Sequence, residues 1–211
     1  FAAFLVVTLL RQDSLAATLA GFIPLRVSHP ELIGAFDIGI PAVPVILTPL
    51  SATLVHGGWM HVGFNLLTLV FCGRQVEMVL GPRLLLVLYV VGAYAAAAGQ
   101  WALGPEVGIP MIGASGAISA IVGAYALLYS RQQVRAIGPI SANVVRMLWL
   151  GAGWTFLQAM VALAGEGGNA VGNFSLSQIA VGAHVGGFLA GMLLIRPLLR
   201  IRFRHSHRTV M

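Results

Sequence analysis

The sequence predicts an all-α, polytopic membrane protein, and three observations carry that expectation. The chain of 211 residues is 58% hydrophobic and only 9% charged, with a mean hydropathy of +0.91. A soluble domain carries about 25% charged residues, so there is too little charge here to coat a surface facing water. The apolar runs are long, rich in Leu, Val, Ala and Gly, and lack the period-2 alternation of a membrane barrel. Spans in lipid must satisfy their own backbone groups, and helices follow.

Six hydrophobic segments are expected. The first runs from Phe1 to about Leu10, the second from about Gly58 to Met78, and the third from Leu84 to Leu103. The fourth runs from about Gly113 to Tyr129, the fifth from Val144 to Ala164, and the sixth from Ile179 to Leu199. Only ten residues precede Arg11, against the roughly 20 that a span needs. The first segment therefore reads as the end of a helix whose start is missing. It lacks the basic flank of a signal peptide. The stretch from Arg11 to Val55 is punctuated by Pro24, Pro30, Pro41, Pro44 and Pro49, and is too long for a plain connector. Short helices of its own are expected there. No repeat or low-complexity tract is evident.

Charge placement sets the orientation. All 12 basic residues are arginines. Arg74, Arg83, Arg131, Arg135, Arg146, Arg196, Arg200, Arg202, Arg204 and Arg208 fall on one side of the segments. Arg11 and Arg26 fall on the other, with Asp13, Glu31, Asp37, Glu106 and Glu166. The positive-inside rule puts the first group, and both termini, in the cytoplasm. The basic tail reads as a topology signal and an anchor for anionic membrane lipids, not as a nucleic-acid arm. The single Cys72 excludes an internal disulfide and a cysteine metal cluster. In its apolar run it reads as a buried structural thiol.

Three segments then carry polar groups just inside their outer ends. The second holds His56, His61 and Asn65, the fourth opens Gly113-Ala114-Ser115-Gly116, and the sixth holds Ala183-His184 before Gly186-Gly187. Segments two, four and six all run inward, so these positions share a depth of about 5–10 Å at 1.5 Å per residue. Each residue alone has a plain alternative. Ser115 could bond back to a carbonyl one turn earlier, His184 could be a structural donor, and Asn65 could be interhelical glue. Their common level argues for one shared site. Ser115, Ser119 and Gly123 form a small-residue row, as do Gly187 and Gly191. Such rows let helices approach closely and would bring His184 within reach of Ser115. His61 and Asn65, four apart, share a helix face. With the Ser115 amide they make a plausible oxyanion hole. His56 would lie about 140° around an ideal helix from His61 and reads as structural.

In their order, these motifs resemble the rhomboid protease family, of bacterial type, from Gly21 onward. The elements are His56…His61…Asn65, then Gly73-xxx-Glu77-xxx-Gly81, then Gly113-Ala114-Ser115-Gly116, then Ala183-His184-xx-Gly187. The resemblance implies a rhomboid-like six-transmembrane-helix domain over 1–204, with 205–211 a basic cytoplasmic tail. It implies Ser115 and His184 as a catalytic dyad in a water-filled cavity open to the outer face. His61, Asn65 and the Ser115 amide would hold the oxyanion. His56, Glu77, Gly113, Gly116, Gly187 and Gly191 would be structural, Glu77 as a polar contact at the cytoplasmic end. The expected substrates are transmembrane helices of other proteins, cut near their outer ends. The expected location is a bacterial inner (cell) membrane, and no metal or organic cofactor is expected. Two features depart from the family. An aromatic often stands four residues after the nucleophile, where this chain has Ser119, and the Trp-Arg pair of the first loop is not visible upstream of His56.

Other readings account for less. Glu77 lies at the wrong face to orient His184, and the other five acids lie in outer loops, so a dyad is expected in place of a triad. Ala117 breaks the Gly-x-Ser-x-Gly elbow, and no His-Glu-x-x-His occurs. A haem- or metal-binding bundle using His56, His61 and His184 leaves Ser115 unexplained. A transporter would show inverted repeats. The alternative from another class is a non-catalytic rhomboid-like protein that binds client helices, against which both Ser115 and His184 are retained. Trp149, Trp154 and Phe156 with the loop Gly165 to Ser177 are candidates for a gate, or for core packing.

Overall fold

The computed structural model describes residue 2 and residues 13–31, 41–129, 134–165 and 180–204. The expectations for the segment Phe1–Leu10, for Asp37 and Glu166, for most of the loop Gly165–Ser177 and for the tail 205–211 lie outside the described residues. Apart from two isolated backbone bridges, Phe22 with Met111 and Ile137 with Ile140, the described residues are helices and their connections. The protein is an all-α polytopic membrane bundle.

Two short helices, α1 (Asp13–Ala20) and α2 (Leu25–Ser28), and the mixed 3-10 and α segment α3 (Val45–Leu54) occupy the Pro-punctuated stretch. Five longer helices follow: α4 (Trp59–Leu80), α5 (Pro82–Leu103), α6 (Ser115–Tyr129), α7 (Ala142–Gly165) and α8 (Val181–Arg204). Helices α4, α5 and α8 are each long and apolar enough to cross a membrane. Punctuation sets their ends. Gly81 takes φ +80° and its N–H bonds the Glu77 carbonyl at 2.7 Å, closing α4. Pro82 then opens α5, where a missing N–H costs nothing. Midway along α4, Leu69–Gly73 widens into a π turn. Cys72 lies buried there, in a cluster with Val76, Leu88, Ala120, Ile121 and Ile195.

The core is a three-helix seam of small residues. A side chain at Gly187 would strike the Gly116 carbonyl, and one at Gly191 the Ala120 carbonyl. Gly123 faces the Phe188 carbonyl in the same way. The small-residue rows of α6 and α8 thus meet backbone to backbone. Helix α5 joins them: Gly92 abuts Ala120, Gly116 abuts Ala96, and Gly99 lies against Gly182 and Gly186. The hydrophobic effect gives helices in lipid no reason to associate, so close packing of this kind must supply the attraction.

The loops before α3 and between α5 and α6 are fastened to this core by main-chain bonds. Phe22 and Met111 exchange N–H···O bonds of 3.0 and 2.8 Å, and Leu25 N–H reaches the Val107 carbonyl at 3.1 Å. Arg26 is only 3% exposed, and its Nη2 donates to the Val43 carbonyl at 3.0 Å. Charge counting placed it on the side opposite the ten other arginines; in the fold it is a staple inside the loop.

Candidate active site

Each site residue owes its place to a local device. Helix α6 starts at Ser115, two residues later than the hydropathy suggests, because Gly113 takes φ +103°. Gly113 N–H is in turn held by the Ala52 carbonyl of α3 at 2.9 Å. As the first helical residue, Ser115 has an amide with no carbonyl one turn earlier to bond. At the start of α8, the Ala183 N–H is capped by Gln100 Oε1 of α5 at 3.3 Å. His184 follows, buried at 7% exposure.

Ser115 Oγ lies 2.9 Å from His184 Nε2. If the hydroxyl donates, the neutral imidazole carries its proton on Nδ1. That atom is buried and has no hydrogen-bond partner among the described residues. A hydroxyl on an imidazole acceptor is the arrangement that a serine nucleophile and its base require. No carboxylate orients the ring among the described residues, so packing of α8 must hold it.

On the facing side, α4 presents His61 and Asn65. Gly57 N–H bonds His61 Nδ1 at 3.3 Å, which leaves the proton of the neutral ring on Nε2. A Cβ on Gly113 would fall 2.5 Å from His61 Nε2 and 3.7 Å from Asn65 Nδ2. Two donors therefore flank the backbone just ahead of Ser115, and Asn65 Nδ2 is buried with no partner. Donors held ready in this way suit a developing oxyanion.

His56 lies differently from the helical expectation. Gly58, at φ +153°, keeps His56 out of α4, so the 140° angle does not apply. It is buried, with its ring edge-to-face on His61 at 5.1 Å between centroids. Glu77 is exposed. Its main-chain carbonyl accepts from the Gly81 N–H. Gly116, Gly187 and Gly191 stand in the seam, where a side chain would not fit. Among the described residues, no group of three or more His, Cys, Asp or Glu is arranged to hold a metal ion.

Sequence reasoning missed four contributors: the Ala52 carbonyl, the Gly57 amide, the Gln100 cap, and Trp154. The last is on α7 and donates from Nε1 to Ser119 Oγ at 2.8 Å. Their partners Gly113, His61, Ala183 and Ser119 were all singled out, and Trp154 was read as a gate or core residue, but no spacing rule connects positions 35 apart such as Ser119 and Trp154.

Comparison with known proteins matches residues 46–201 to the Rhomboid domain family. The chain is 29% identical over 157 residues to the Rhomboid protease GluP of Bacillus subtilis (strain 168), covering 73% of this chain and 29% of that protein. It is 29% identical over 185 residues to the Rhomboid protease GlpG of Pectobacterium atrosepticum, covering 85% of this chain and 59% of that protein. The chain thus spans less than two thirds of either relative.

Proposed function

The chain belongs to the rhomboid family, and from that premise we propose that it is an intramembrane serine endopeptidase with Ser115 as nucleophile and His184 as general base. The observation that carries this reading is the 2.9 Å contact of Ser115 Oγ with His184 Nε2. Ser115 gives its proton to Nε2 as Oγ attacks the scissile carbonyl. The oxyanion that forms is met by His61 Nε2–H, Asn65 Nδ2–H and the Ser115 amide. His184 then returns the proton to the leaving amine, and water hydrolyses the acyl-enzyme by the same exchange. His184 Nδ1 has no hydrogen-bond partner among the described residues, which favours a dyad over a triad.

The substrates we infer are transmembrane helices of other proteins, cut near the outer membrane face. Helix α6 has 15 residues and spans roughly 22 Å of a core about 30 Å thick. With Tyr129 at the cytoplasmic boundary, Ser115 would sit about 8 Å below the outer one. That depth favours a water-filled cavity over a surface cleft. Arginine placement supports cytoplasmic termini and an outward-facing site in a cell membrane.

The test is labelling by a fluorophosphonate probe together with cleavage of a model transmembrane substrate. Wild-type protein should be labelled and should cleave. Ser115→Ala should lose labelling and about 10⁴-fold or more of the turnover. A folded, membrane-inserted wild type that neither labels nor cleaves would instead mark a binder of client helices.

A further inference from the structure

Ser119 is buried where α6 and α8 meet, and Trp154 reaches it from α7. Its Oγ makes two bonds of 2.8 Å, donating to the carbonyl of Ser115 and accepting from Trp154 Nε1. Its Cβ stands 3.3 Å from where a side chain on Gly187 would begin. Gly187 lies three residues after His184, on the same helix face. One hydroxyl therefore touches the carbonyl of the nucleophile and abuts the helix of the base.

A helical serine bonded to the carbonyl four residues back is usually a local affair. Here the second bond changes its character. An indole N–H can only donate, so the Ser119 oxygen must accept from it. The hydroxyl proton is then committed to the Ser115 carbonyl. Such chains polarise cooperatively in a dry interior. Trp154 also lines a cleft of about 410 Å³ with Val122, Leu150 and Phe188, and its bond to Ser119 adds a directional tie that packing does not give.

We propose that Trp154 is a positioning residue for Ser115, acting through Ser119 to hold the first turn of α6, and with it the Ser115 amide and hydroxyl, in register with His184. The proposal rests on the protease reading. It gives Ser119 a task that needs no aromatic ring, and it makes α7 a determinant of how well the nucleophile is aimed.

The test uses Trp154→Phe, which keeps a ring and loses the N–H, together with Ser119→Ala and the double variant, in the full chain in detergent micelles. Each single variant should slow fluorophosphonate acylation about tenfold, the size of one positioning hydrogen bond. The double variant should be no slower than the singles, because both break one chain. For substrate cleavage kcat should fall with KM unchanged, by more than the modest fall in melting temperature from a lost buried hydrogen bond accounts for. Independently of activity, the indole ¹H–¹⁵N resonance of Trp154 should shift in Ser119→Ala. Unchanged acylation by Trp154→Phe overturns the proposal, as do additive losses or losses that track the melting temperature. An unmoved indole resonance overturns the bond itself. A wild type that takes no label at Ser115 fails the protease reading instead, and the resonance separates that outcome from failure of the bond.

Discussion

Helices α6 and α7 both lie against α8, and they do so in opposite ways. Helix α6 meets α8 backbone to backbone, with Gly187 under the Gly116 carbonyl and Gly191 under the Ala120 carbonyl. Helix α7 meets it loosely. Gly151 sits at ordinary contact distance from the Phe188 ring, Gly153 faces open space, and Trp149 is 67% exposed. The Ser115–His184 contact lies on the tight seam. Helix α7 reaches it through the Trp154–Ser119 bond. The same residue type therefore has opposite meanings. Glycine on α8 is a geometric requirement, and glycine at 153 is spare room.

That contrast yields the largest predicted effect on stability. Gly191→Ala should drive α6 and α8 apart and cost about 1–3 kcal/mol by overpacking. Misalignment of about 1 Å at the pair would lower probe labelling roughly 100-fold. The same change at Gly153 meets nothing and removes a helix-weakening residue. It should stabilise by up to about 1 kcal/mol and leave labelling unchanged. Melting curves and labelling rates of the two variants, side by side, check this. Equal damage from both would abolish the distinction between the seams.

The tight seam was half legible. Gly187 and Gly191 stand out because they repeat at helical spacing in a run of larger residues. The α5 members of the seam do not. Gly92, Ala96 and Gly99 sit in the stretch Gly92-Ala93-Tyr94-Ala95-Ala96-Ala97-Ala98-Gly99, where nearly every residue is small and no face is distinguished. Ser115, His184, His61 and Asn65 were readable because polar groups in a span are expensive. The Ala52 carbonyl that holds Gly113 was not, since every residue carries a carbonyl. Trp154 looked like Trp149, yet one indole is bonded to Ser119 and the other is exposed. His56 was misplaced because the helical period was carried through Gly58, where the backbone turns out of the helix.

A fall in turnover without a loss of stability is expected where α4 touches the site through side chains. Asn65 Nδ2 is buried and unpartnered, so the resting protein gains no hydrogen bond from it. Asn65→Ala should lower kcat by about 10²–10³-fold as an oxyanion donor is lost, while the melting temperature holds or rises slightly. Steady-state cleavage with parallel unfolding curves reads both. A large fall in melting temperature would make Asn65 interhelical glue and put α4 with the tight seam.

The smallest effect belongs to the outer clamp, far from either seam. His29 Nδ1 lies 2.9 Å from Glu31 and its Nε2 lies 2.9 Å from Glu106. Beside it Trp101 Nε1 donates to Ser28 Oγ at 2.9 Å, and Ser28 Oγ to the Pro105 carbonyl at 2.9 Å. A neutral imidazole has one N–H, so bonding both carboxylates requires the imidazolium. Hydrogen bonds to Glu31, then Glu106, raise the pKa of His29. The sign follows: with the folded value above the unfolded one, the contribution is complete below the unfolded value of about 6.5. It is lost as pH rises through the folded value. The three side chains are exposed, so the change in melting temperature should be small and should shrink in high salt. Wild type should therefore lose slightly more stability than His29→Gln between about pH 5.5 and pH 9, and the two should converge at the upper end. Met111 is paired with Phe22 in the same loop system, and Gly113 follows two residues later. Labelling of Ser115 that falls over this range in wild type but not in His29→Gln would show that the clamp also sets the Gly113 turn. An identical profile in both would confine it to the loops.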